Sequence, residues 1–146
     1  MSPLFRTLAL ALTLGVALAA GPAMAATEKF AADLTSTAVV PPTASTASGT
    51  ADVTFDTASK MLTWTVTYKG LTGKPTAAHF HGPAAAVGAN AGPVVGLTGS
   101  LDSPIKGTFT LNDKQASELE AGMWYLNVHT SKYADGEIRG QVVKAK

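Results

Sequence analysis

Between Thr50 and Tyr68 the side chains alternate with a period of two. Ala51, Val53 and Phe55 stand between Asp52, Thr54 and Asp56, and Leu62, Trp64, Val66 and Tyr68 stand between Thr63, Thr65 and Thr67. Successive side chains of an extended strand point to opposite faces, so each run carries one apolar face and one polar face. Threonine at every second site suits a solvated strand face. The short break Thr57-Ala58-Ser59-Lys60 joins the two runs, which predicts a half-buried antiparallel hairpin.

Shorter stretches repeat the pattern. Phe30, Ala32 and Leu34 alternate with polar residues, and Val39-Val40-Pro41-Pro42 then ends regular pairing, because proline has no amide donor. Thr43 to Gly49 reads as a small-polar linker or edge. Strands are predicted around His79 and His81, over Val94–Leu97, Ile105–Leu111, Met123–Thr130 and Glu137–Val143. Asn112, with Gln115 three residues on and Gly122 beyond, predicts one short capped helix that packs Ala116, Leu119 and Met123 inward. Asp135-Gly136 signals a tight turn. About eight strands between Gly/Pro turns predict an all-β fold, a sandwich or Greek-key barrel of antiparallel strands. Trp64 and Trp124 fall at inward positions, and Tyr68 and Tyr125 suit a binding face or, as strand tyrosines usually do, packing.

The N-terminus is set apart from this pattern. Arg6 precedes an apolar run from Leu8 to Ala20, and Ala23-Met24-Ala25 is a small-residue cleavage site. Residues 1–25 are therefore predicted to be a secretory signal peptide, leaving 26–146 as one domain, exported to the periplasm or beyond the cell, with no membrane span after cleavage. The chain has no cysteine, so an exported domain must be held by its core or by a ligand. The formal net charge is +1 with Arg6 included, and no basic block points to nucleic acid.

All three histidines lie in two of the predicted strands: His79 and His81 in AAHFHGP, and His129 in YLNVHT. Period two places His79 and His81 on one face with Phe80 on the other. It places Tyr125, Asn127 and His129 on one face, with Trp124, Leu126 and Val128 opposite. If the two strands are neighbours, three imidazoles converge into a candidate copper or zinc site. The same histidines equally suit a structural hydrogen-bond cluster that ties strands together.

Taken together, Trp64 with Gly70-Leu71, AAHFHGPA (77–84), NAGPVV (90–95), LEAGMWYLNVHT (119–130) and GEIRGQVV (136–143) resemble the CHRD domain, the module named after chordin and found in exported proteins. The resemblance covers nearly all of the chain after the signal peptide and implies an immunoglobulin-like β-sandwich without an established activity. It also implies a more distant similarity to copper/zinc superoxide dismutase, in which a His-x-His strand and a later Val-His supply copper ligands and a late arginine lies near the metal. On that likeness His79, His81 and His129 fall on ligand positions and Arg139 on the arginine. The departures are a missing bridging histidine, a loop (Ala84–Pro93) without His or Asp, and no disulfide.

No serine has a histidine–acid context, so no catalytic residue is assigned. The chain reads as a binding or structural module that presents a sheet face or the flexible 84–93 loop to a protein or extracellular polymer, or as a copper- or zinc-binding protein. Zinc held by three histidines and a water supports hydrolysis only beside a general base. Glu137 is the acidic candidate, and its alternatives are a solvated hairpin carboxylate or a cross-strand partner for Arg139. Arg139 has the further alternative of pairing with Asp135 and covering apolar surface with its stem.

Overall fold

The alternating runs form the strands expected of them. The computed structural model describes residues 24–146, and residues 1–23, which carry most of the predicted signal peptide, lie outside the described residues. Strands β1 (Thr27–Thr35), β2 (Ser48–Asp56) and β3 (Met61–Lys69) are followed by β4 (Pro75–His81), β5 (Pro93–Gly96) and β6 (Ile105–Thr110). Helix α1 (Asp113–Glu120) leads into β7 (Tyr125–Thr130), β8 (Ile138–Gln141) and β9 (Val143–Lys144).

All pairings are antiparallel, in the order β5-β4-β7-β8-β1-β2-β3-β6, with β9 also on β1. β1, β2, β3 and β6 form one layer, and β8, β7, β4 and β5 form the other. The connections β3–β4, β5–β6 and β6–α1–β7 cross between them in Greek-key fashion. Phe30, Val53, Phe55, Leu62, Trp64 and Val66 from the first layer meet Phe80, Leu126, Val128 and Ile138 from the second. The Trp64 ring stands edge-on to Phe80 at 5.6 Å, and Trp124 packs on the other side of Phe80 at 6.0 Å. Aromatic edges and faces in contact at these distances add to the area they bury.

The layers join at a corner. β8 meets β1 at a single register pair, Thr35 with Arg139, and β9 then pairs with Phe30 and Ala31. The last predicted strand is thus two strands. Val142 still donates to Trp124 O on the β7 side, and one residue later the chain has moved to β1. Gly140 makes this corner possible, since a Cβ there would sit 2.2 Å from Asp33 O.

The helix carries the expected capping box. The Asn112 side chain accepts from Gln115 N, and the Gln115 side chain accepts from Asn112 N. Ala116 and Leu119 pack inward as predicted, whereas Met123 is exposed. It follows Gly122 (φ 71°), whose left-handed turn ends the helix before Met123 and takes that residue off the inward face.

Candidate metal centre

β4 and β7 are direct neighbours, with His79 opposite Asn127, His81 opposite Tyr125 and Ala77 opposite His129. Phe80, Leu126 and Val128 fill the core, so the three histidines stand together on the outer face. One ligand nitrogen from each lies within 4.8 Å of the other two. Points so placed fit within about 2.8 Å of a common centre, close to the 2.0–2.1 Å of a zinc–imidazole bond.

Backbone carbonyls select the donor atoms. His81 Nδ1 is 2.9 Å from Ala91 O, and His129 Nδ1 is 2.8 Å from Ala134 O. A carbonyl only accepts, so both Nδ1 atoms carry the proton and both Nε2 atoms are left with a lone pair. His81 Nε2 is buried and has no hydrogen-bond partner among the described residues. His79 Nδ1 lies 3.2 Å from His129 Nε2 and, that nitrogen being unprotonated, donates to it in the metal-free site. His81 and His129 are thus each fixed through the nitrogen opposite the lone pair, as metal-binding imidazoles ordinarily are.

Two of the rings, His79 and His81, are also biased toward the neutral form. Burial pushes the His79 pKa below the ordinary imidazole value, and His129 beside it adds to the effect. Burial likewise lowers His81. The bond to Ala91 O opposes that shift, and His129, His79 and Arg139 reinforce it. Neutral imidazoles are the form that binds metal.

The outer shell combines Arg139 with Tyr125 and Asn90, for which the sequence assigned no site role. The Tyr125 ring stacks on His81 at 4.9 Å with an interplanar angle of 10°. Its hydroxyl donates to Ala91 O and accepts from Ala91 N, so one tyrosine holds the peptide that orients His81. The Arg139 guanidinium lies 3.4 Å over the other face of Tyr125. It donates to Asn90 Oδ1 at 2.7 Å and to Ala89 O at 2.6 Å. Asn90 in turn donates to Val40 O. The 84–93 loop is therefore not free throughout. Residues 85–88 are exposed, but Ala89, Asn90 and Ala91 are bound to the sheet by Arg139, Tyr125 and His81. The signal available in the sequence was the shared parity of Tyr125 with Asn127 and His129.

Two expectations for the acidic and basic neighbours are corrected. Glu137 is fully buried, and all four of its carboxylate bonds go elsewhere. Oε1 accepts from Ser45 Oγ at 2.6 Å and Thr72 N at 2.9 Å, and Oε2 accepts from Thr72 Oγ1 at 2.9 Å and Thr130 Oγ1 at 2.6 Å. It is neither a solvated carboxylate nor paired with Arg139, and as a general base its lone pairs are already used. The physical reason is a break in parity. Glu137 N donates to Val128 O although Val128 is already the register partner of Ile138, and Gly136 (φ 120°) precedes it. The residue two before Arg139 thereby leaves the Arg139 face. Arg139 pairs with neither Glu137 nor Asp135, and Tyr125 stands between it and His81.

The family model described as CHRD domain matches residues 30–142. The chain belongs to the CHRD domain family. No curated protein and no solved structure matched it, copper/zinc superoxide dismutase included. The match spans the β-sandwich from β1 to the corner at Val142 and takes in all three histidines and Arg139. Among the described residues no helix is long and apolar enough to cross a membrane.

Proposed function

We propose that this CHRD domain is an exported binding module whose ligand is a copper ion, held by His79 Nδ1, His81 Nε2 and His129 Nε2, with zinc as the competing ion. The observation that carries the reading is the buried, partnerless Nε2 of His81, whose Nδ1 is committed to Ala91 O. A buried polar atom without a partner costs on the order of 1–3 kcal/mol, and a metal bond removes that cost. The donor set supports copper over the other late first-row ions. It holds imidazoles alone, and Cu(II) stands above Zn(II) in the affinity order for nitrogen sites. Among the described residues, no carboxylate joins the cluster. The dismutase likeness enters at the level of the three ligand positions, with redox turnover the further reading to assay once copper is bound. Export rests on the signal-peptide pattern of residues 1–25 together with membership of a family whose modules occur in exported proteins.

The test is calorimetric titration of the domain 26–146 with Cu(II) and with Zn(II), repeated on His81→Ala. The expected result is one-to-one binding, tighter for copper, and lost in the variant. Equal heats in the variant and the parent, or none in either, would remove the site and leave the histidines as a hydrogen-bond cluster of the sheet.

A further inference from the structure

Arg139 is only 3% exposed, and among the described residues no carboxylate lies within ion-pair distance of it. A buried cation is ordinarily paired with an anion, because its charge is poorly solvated in the interior. Here the guanidinium is held by neutral oxygens, Asn90 Oδ1 and Ala89 O, and by the Tyr125 ring face. Its positive charge is therefore satisfied in hydrogen bonds but uncancelled. The other side of the same Tyr125 ring is His81, and the two stacking distances, 3.4 Å and 4.9 Å, bring the guanidinium within about 8 Å of that imidazole.

We propose that Arg139 is a specificity-determining residue for the charge of the bound ion: its uncancelled buried charge biases the His79/His81/His129 site toward singly charged Cu(I) and against doubly charged Cu(II) and Zn(II). The inference rests on the copper reading above. A unit charge at this range, with the polarisability of a partly buried site, changes the relative affinity for a 2+ over a 1+ ion by about tenfold. The neutral partners matter as much as the arginine. Asn90 is exposed and bonds the guanidinium through Oδ1, so an aspartate there would cancel the charge without disturbing the stack.

The experiment measures Cu(I) and Cu(II) dissociation constants of the domain 26–146, using a chromophoric Cu(I) chelator under anaerobic conditions and a Cu(II) competitor in air. The variants are Arg139→Gln, Arg139→Lys and Asn90→Asp. The quantity read is the ratio of the two affinities. A residue that merely props the loop weakens both ions alike and leaves the ratio still. The inference predicts a shift of about tenfold toward Cu(II) in Arg139→Gln and in Asn90→Asp, with Arg139→Lys within about twofold of the parent. An unchanged ratio in Asn90→Asp, which keeps the guanidinium and its contacts, overturns it even if Arg139→Gln does not fold. Absence of copper binding in the parent fails the underlying site instead, a result distinct from an unchanged ratio.

Discussion

Replacing Glu137 by alanine should unfold this domain far more readily than any substitution at an exposed carboxylate. The side chain is fully buried and accepts four hydrogen bonds, from Ser45, twice from Thr72, and from Thr130. These donors come from the segment before β2, the β3–β4 connection and the end of β7, so one carboxylate ties three parts of the chain to the β7–β8 turn. Alanine leaves four donors facing a void. The hydroxyls can turn elsewhere, but the Thr72 amide cannot. The expected loss is about 4 kcal/mol, less than four unsatisfied donors would sum to because water enters the space. In a domain of this size that lowers the melting temperature by about 15 °C. Glu137→Gln keeps the shape and loses the charge-assisted bonds, with about half that cost. Burial alone would raise the Glu137 pKa, but the bonds from Ser45, Thr130 and Thr72 outweigh it and hold the pKa below the ordinary glutamate value. The folded state then binds a proton less readily than the unfolded chain. The stabilisation is complete above the ordinary glutamate pKa and is lost as pH falls through the lowered one. Urea denaturation of the parent and both variants at neutral pH and at pH 4 reads all of this. A loss under about 1 kcal/mol in Glu137→Ala, or an acid slope unchanged in Glu137→Gln, would refute the keystone role.

Three further outcomes are expected. Gly140→Ala puts a Cβ against Asp33 O at the β8–β1 corner and should cost about 3 kcal/mol, read by thermal melting, whereas an indifferent melt would show that the corner can move. Tyr125→Phe keeps the stack on His81 but drops both bonds to Ala91, so copper affinity should fall about tenfold in a competition titration while a parent-like value would mean Ala91 is held without the tyrosine. The metal-free domain should lose stability as pH falls below the ordinary histidine value. The His79 and His81 pKa values are lowered, so the unfolded chain binds more protons there, and a flat profile between pH about 5 and 7 would contradict a neutral His79 and His81 in the folded state.

The strands were legible because period two is enforced wherever one face is buried. Val53, Phe55, Leu62, Trp64, Val66, Phe80, Leu126 and Val128 are all core, and His79, His81 and His129 share the opposite face for the same reason. What the alternation could not carry is whatever breaks it. Glu137 follows a positive-φ glycine and an irregular ladder, so its parity relative to Arg139 misleads. The split of the last strand depends on Asp33 O closing over Gly140, a contact between residues over a hundred positions apart. The outer shell was hidden for a related reason. Ala89, Ala91 and Ala134 act through backbone carbonyls, which have no sequence signature. Alanine- and glycine-rich composition suggested a mobile loop, and Arg139 and Tyr125 from the sheet hold its second half in place.

The most direct test of the account is the assignment of donor nitrogens in the loaded site. Cu(I) is diamagnetic, so long-range proton–nitrogen correlation spectra of the 15N-labelled domain, recorded before and after one equivalent of Cu(I), distinguish Nδ1 from Nε2 in each ring. The expected result is metal-shifted Nε2 in His81 and His129, metal-shifted Nδ1 in His79, and protons retained on Nδ1 of His81 and His129 toward Ala91 O and Ala134 O. Metal-shifted Nδ1 in His81, or three imidazoles unaltered by the ion, would contradict it.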